Sequence, residues 1–449
     1  MTENVLRLII ILILGKLSYD YKFDDFHLLL TFFNILGSFL FFRFVRYKGL
    51  INCISSIFVY IYILFSTQVQ ALFQVQSLNI KMICYTEQEF KFLANFGTEL
   101  LAIYLVGLFI FRSFFSYNYN IQYVPNTNYK VISDKYFYIC VIIAFSLSFI
   151  SAVLGIGRMG GELVKLPFHL TGIINFMRMN VFPTLLMLYI YDVLSHNEKI
   201  KSNKYLIIFI WGIFEVFVRL SKSALITSIL PSLIIIILSE KINKKHIIRI
   251  IVPLIVVFLF MYPIIETMRY SKETSMSSLI SAYESVNSGE NDGSSPFTRI
   301  FMTGPKYLNA LPVINDNKLF DFSKAPIILK IGGSAAYTTF IIDGYAQGVR
   351  HNSGCTGIID PLLFGGYGLC YIVVFLFSIF SLWIDSPKIR GNVMLRTLLL
   401  LLFIDVVMKK NISLFIDALA FPYWFITFIQ FIIVCKYLNM NFEKRINLI

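Results

Sequence analysis

Charge is scarce in this chain of 449 residues: Asp, Glu, Lys and Arg make up 14% of it, against about 25% in ordinary soluble domains. Cysteine is sparse too. The six cysteines (Cys53, Cys84, Cys140, Cys355, Cys370 and Cys435) contain no CxxC pair and lie mostly in apolar runs, so neither a disulfide framework nor a zinc site is indicated. No small-residue cleavage site follows the first apolar run, where Lys16 and Tyr19 stand instead, which predicts an uncleaved first helix. Hydrophobic residues fill the space, at 57% of the chain and a mean hydropathy of +0.72. Phe (45) and Tyr (26) dominate an aromatic share of 16%, as suits lipid-facing helices with interfacial rings. A secreted enzyme, a cytoplasmic enzyme and a disordered chain are all excluded, and a polytopic membrane protein is expected.

Twelve apolar stretches can be read as spans: 5–20, 26–45, 50–69, 94–114, 136–155, 171–193, 205–220, 223–239, 247–266, 362–384, 395–408 and 415–435. The runs are continuous rather than alternating, which excludes a β-barrel and predicts an all-α integral membrane protein of about 12 transmembrane helices. The net charge of +13 does not mark a nucleic-acid partner, because the cations sit in short clusters between apolar segments. With twelve spans, Arg43/Arg46/Lys48, Lys130/Lys135, Lys199/Lys201/Lys204, Lys241/Lys244/Lys245/Arg249, Lys388/Arg390/Arg396 and Lys436/Lys444/Arg445 all fall on one side. By the positive-inside rule that side is the cytoplasm.

The opposite side then carries one long segment, 267–361, between a membrane domain at 1–266 and a second membrane part at 362–449. It holds a turn-rich piece, Ser288 to Pro296, flanked by apolar patches at Phe297–Met302 and Ala335–Ile342. Loops of this length are functional or disordered, and the interleaved aromatics predict a partly helical, ordered one. No internal repeat of one half against the other is visible, which speaks against an inverted-repeat transporter.

Cations also occur on the side where the rule makes them rare. Arg219 and Lys222 flank the tight turn between the seventh and eighth spans, Arg269 and Lys272 open the long loop, Arg299 and Lys306 lie in it, and Arg350-His351 precede the tenth span. Guanidinium groups suit phosphate because the planar fork donates two hydrogen bonds at once. Arg219, Lys222, Arg269 and Arg350 are therefore candidates to hold a lipid pyrophosphate. For a single such cation, ordinary snorkelling is the competing explanation. Glu215 lies one turn before Arg219, so an i,i+4 ion pair between them is expected. Asp343-Gly344-Tyr345, followed by Arg350-His351-Asn352 and then by Gly365-Gly366-Tyr367-Gly368, gathers a carboxylate, a histidine and flexible backbone. His351 can act as a base near neutral pH.

Two local patterns give these observations a family likeness. Ser221-Lys222-Ser223-Ala224-Leu225 resembles a Ser-Arg-small-Ala-Leu turn, with lysine where arginine is usual. His351-Asn352 with the later glycines resembles a histidine-plus-glycine motif that precedes a late helix. Together with the helix count and the late external loop, the chain resembles the bacterial O-antigen polymerase and ligase superfamily of membrane glycosyltransferases. The resemblance implies a GT-C-like fold in the bacterial inner membrane, with the active site facing the periplasm and no metal or other cofactor. It also implies a substrate of oligosaccharide repeat units on undecaprenyl pyrophosphate, surrounding membrane lipid, and a chain-length regulator and a flippase as pathway partners. On this likeness His351 would be the base, Asp343 its orienter or substitute, and Arg299, Tyr345 and Asn352 contacts to glycan.

Three alternatives stay open. One is the ligase that moves finished glycan to an acceptor. Another is a conventional GT-C transferase using an acidic residue of the first external loop, where Asp20, Asp24 and Asp25 stand; simple solvation of these carboxylates is the plainer expectation. The last is a flippase, whose charges would line a central cavity.

Overall fold

The computed structural model describes residues 2–74, 86–114, 119–125, 132–157, 166–220, 222–239, 358–408 and 442–448, together with Val256, Ile265, Ile280, Ile432 and Lys436 singly. The segment 267–361, apart from Ile280 and 358–361, lies outside them. So do most of the expected spans 247–266 and 415–435.

The described residues form helices throughout, apart from one two-stranded ribbon. In chain order these are α1 (Thr2–Asp20), α2 (Asp25–Lys48), α3 (Ile51–Leu72), α4 (Glu87–Phe111), β1 (Tyr119–Pro125), α5 (Asp134–Leu154), α6 (Leu170–Ser195), α7 (Ser202–Arg219), α8 (Lys222–Leu238), α9 (Ile359–Ile384), α10 (Pro387–Arg390), α11 (Val393–Met408) and β2 (Phe442–Leu448). Among the described residues, six helical stretches are long and apolar enough to cross a membrane: α2, α3, α4, α5, α6 and the 365–384 part of α9. These six support a multi-pass membrane protein. The ribbon was not foreseen. β1 runs antiparallel to β2 with Tyr119 opposite Leu448 and Pro125 opposite Phe442, so two remote segments meet.

Two apolar cores form. α1, α2, α3, α4, α9 and α11 enclose one, around Leu17, Tyr60, Leu101, Val374 and Val407. α5, α6, α7 and α8 enclose the other, around Phe137, Tyr189, Trp211 and Ile235. α8 reaches both, with Ile234 and Leu238 in the first and Ile229 and Ile235 in the second.

Helices in an apolar medium gain little from hydrophobic burial against each other, so small residues and buried hydrogen bonds must hold them. Here they do. A Cβ at Gly97 would stand 2.3 Å from Thr67 Oγ1, and one at Gly107 2.0 Å from Ser378 Oγ, so side chains of α3 and α9 pack directly on the backbone of α4. Asn34 of α2 donates to the Thr98 carbonyl of α4 at 2.8 Å. Tyr104 of α4 donates to the Ser56 carbonyl of α3 at 2.9 Å.

Candidate cation site at the helix ends

The charged centre of the second core begins with a fault in α6. A proline inside a helix lacks the N–H for the ladder and crowds the carbonyl four residues back. Pro183 occupies that position in α6, and the preceding turn, Met177–Val181, widens into a π-helix. Such widenings re-aim a side chain, and the residue here is Arg178, which is fully buried at 0% exposure.

Arg178 meets Glu215 of α7 in a two-pronged pair, Nε to Oε1 at 3.0 Å and Nη2 to Oε2 at 2.7 Å. The Ser148 hydroxyl of α5 also donates to Glu215 Oε1. Trp211 Nε1 backs that hydroxyl at 3.4 Å. The remaining Arg178 nitrogen, Nη1, points to the Ile156 carbonyl at 3.5 Å. That carbonyl is presented because Gly155 caps α5 in the left-handed region at φ 68°, a conformation glycine adopts without strain.

Arg219 completes the group. It is the last residue of α7 and only 7% exposed. Its Nε finds no hydrogen-bond acceptor among the described residues. The helix stops directly after it, with Leu220 at φ 49°, a left-handed conformation that side-chain-bearing residues seldom adopt. The expected pairing of Glu215 with Arg219 is thus corrected: Glu215 has its two-pronged partner in Arg178. Helical spacing brings i and i+4 within reach, but a guanidinium from another helix offers both oxygens a partner at once. Among the described residues, two buried guanidiniums thus draw on one carboxylate, Glu215, which Arg178 binds directly and Arg219 feels only through space. Buried charge is costly unless matched, and ionisable groups in such positions mark binding or transport sites by default.

The far ends of the same three helices are held by a different group. Lys204 at the start of α7 donates to Asp134 at the start of α5 and to the Tyr189 hydroxyl of α6. Tyr189 in turn donates to Asp134 Oδ1 at 2.7 Å. From Lys204 to Glu215 is eleven residues, or about 16 Å of helix. The two charged groups thus lie near opposite ends of one helical layer, with the lysine clusters Lys199/Lys201/Lys204 and Lys135 at the Lys204 end.

Of the nine candidate catalytic, pyrophosphate-binding and glycan-binding residues, two lie among the described residues. Arg219 ends α7 and Lys222 opens α8, three residues later. Arg269, Arg299, Asp343, Tyr345, Arg350, His351 and Asn352 lie outside the described residues. The glycine motif falls within α9, where Gly365 (φ −141°, ψ 15°) and Gly366 (φ 66°, ψ −161°) break the helix. Tyr367 follows and packs on Phe92 and Phe96 of α4, with ring centroids 6.0 and 5.7 Å apart. Arg178, Ser148 and Trp211 were missed from sequence. A lone arginine inside an otherwise apolar stretch is the signal that points to the first, while nothing in the spacing marks the other two.

Compared with known proteins, the chain matches no family model, no curated protein and no solved structure.

Proposed function

We propose that this chain is a metal-independent membrane glycosyltransferase that polymerises oligosaccharide repeat units carried on undecaprenyl pyrophosphate, working at the periplasmic face of the bacterial inner membrane. The observation that carries the reading is the imbalance at the end of α7: Arg178 and Arg219 are both buried, and among the described residues Glu215 is the carboxylate that balances them, bound directly by Arg178. Arg219 Nε has no acceptor there. A site with one positive charge in excess, at the helix ends away from the lysine clusters, suits an anionic headgroup at the outer surface.

The chemistry asks for little else. A hydroxyl at the non-reducing end of a new lipid-linked repeat attacks the anomeric carbon of the growing chain. The new C–O bond forms as the bond to pyrophosphate breaks, and undecaprenyl pyrophosphate leaves with the electron pair. Positive charge must meet the leaving group, and a base must take the hydroxyl proton. In this reading Arg219 and Lys222, with Arg269 and Arg350, hold the pyrophosphate. His351 takes the proton with Asp343 orienting it, and Arg299, Tyr345 and Asn352 contact glycan. Arg178 keeps Glu215 occupied, so that Arg219 is left to the ligand.

The test is reconstitution of the purified protein in vesicles with the lipid-linked repeat. Lengthened lipid-linked product supports the reading. Relocation of the repeat without lengthening identifies a flippase, and transfer to a separate acceptor without lengthening identifies a ligase. Arg219→Ala and His351→Ala should each abolish the ladder of products; full-length product from both overturns the site assignment.

A further inference from the structure

A second charged group lies outside the site above and owes nothing to it. His27, in the first turn of α2, is held on both ring nitrogens. Nδ1 lies 2.6 Å from Asp24 Oδ1, and Nε2 lies 3.2 Å from Glu99 Oε1 of α4. The other Glu99 oxygen, Oε2, accepts from the Tyr371 hydroxyl of α9. The imidazole side chain is 12% exposed, Glu99 24% and Asp24 66%, so the line runs from solvent inward. Asp24 also caps α2, accepting from the His27 backbone N–H at 2.9 Å. That bond and the ring contact hold its carboxyl below the usual carboxylate range.

The geometry has one consequence for protons. A neutral imidazole carries a single N–H, so it can donate to one of these carboxylates only. Its other nitrogen would then present a lone pair to a carboxylate oxygen. The imidazolium has two N–H groups and satisfies both. The carboxylates sit on opposite edges of the ring, so the three groups do not converge on one point as metal ligands would. Other charged and titratable groups face this line from each packed element. They are Lys16 and Asp20 on α1, Asp25 beside it on α2, Lys91 on α4, which donates to the Lys22 carbonyl at 3.3 Å, and Tyr367 on α9.

We propose that His27 is a proton-binding site, and that its proton latches α2 to α4 and, through Glu99 and Tyr371, to the part of α9 just after the Gly365-Gly366 break. Protonated, the ring ties three helices together. Deprotonated, it leaves one nitrogen against a carboxylate, and the start of α2 loosens from α4. The latch therefore holds at low pH and releases as pH rises.

The experiment is backbone hydrogen exchange on the full chain in detergent or nanodiscs, at about pH 5.5 and about pH 8.5, on either side of ordinary histidine titration. After correction for the intrinsic pH dependence of exchange, the first turns of α2 should be better protected at the lower pH. His27→Gln has no titratable ring, and Glu99→Gln removes the second carboxylate while keeping the histidine. Each should flatten the difference. Equal corrected protection at both pH values in the unaltered protein overturns the proposal. So does a difference that survives in either variant. No glycan or lipid substrate enters the measurement, so its outcome is independent of the catalytic reading.

Discussion

Arg178 grips both oxygens of Glu215, at 3.0 and 2.7 Å, and in doing so takes the carboxylate that helical spacing offers to Arg219 one turn further along α7. The two arginines thus do different work although both are buried. Arg178 is bound on two sides, to Glu215 and to the Ile156 carbonyl at the end of α5, and so joins three helices. Arg219 ends its helix with Nε unbonded among the described residues.

Glu215→Gln should be severe. It removes the charge that two buried guanidiniums share, and breaking one side of a buried pair costs about 3–5 kcal/mol. Thermal unfolding in detergent should fall sharply. The double variant Arg178→Met with Glu215→Leu should recover much of the loss, because replacing both partners leaves no unmatched charge from that pair. A double variant as unstable as the sum of the single ones contradicts the pairing.

Arg219→Met should do the reverse. It deletes a buried cation whose Nε lacks an acceptor, so stability should change by less than about 1 kcal/mol or rise. Polymer formation in the vesicle assay should nevertheless be lost. Loss of both stability and activity would make Arg219 a structural residue, and the proposed anion site would fall with it.

How much of this could be read from the chain depends on what kind of information each feature needs. Apolar runs of membrane length are a local signal, and α2, α3, α5 and α6 begin and end within about three residues of the stretches read from sequence. α4 starts earlier than expected, at Glu87. Its first turns are polar, and a capping box between Thr86 and Glu89 rather than hydropathy sets the start. The partners of charged residues are not local. Spacing offers Glu215 to Arg219, whereas the π-turn before Pro183 carries Arg178 to it from another helix. Asp24 is solvated, as expected, but spacing does not show that it is also the N-cap of α2 and a partner of His27. The ribbon joins residues more than 300 positions apart, and no period or composition in either strand announces the other.

The close approach of α4 and α9 should be sensitive to one methyl group. Gly107→Ala would bring a Cβ to 2.0 Å from Ser378 Oγ and 2.9 Å from Ser378 Cβ. Overpacking of this kind costs about 1–3 kcal/mol. Ser378→Gly removes both clashing atoms, so the double variant should regain most of the stability lost by Gly107→Ala, as read from unfolding temperatures. Two independent losses that simply add would show that the helices do not meet at this point.

The ribbon can be used to count membrane crossings. Gln122 stands opposite Arg445, and the neighbouring pair on the same face is offset by two residues, or about 7 Å along the strand. Gln122→Cys with Arg445→Cys should therefore form a disulfide readily under mild oxidation, whereas Gln122→Cys with Asn447→Cys should form it slowly. The native cysteines among the described residues, Cys53, Cys140 and Cys370, are buried and should compete little. Cleavage between the strands followed by non-reducing gel electrophoresis would read the link as two fragments that stay together. Strands that pair must lie on one side of the bilayer, so an even number of spans has to separate Pro125 from Phe442. The apolar stretches supply eight: 136–155, 171–193, 205–220, 223–239, 247–266, 362–384, 395–408 and 415–435. If the matched pair fails to cross-link while both cysteines react with a membrane-impermeant reagent from opposite faces, one of those eight does not cross. The side assigned to the α7 end would then have to be redrawn.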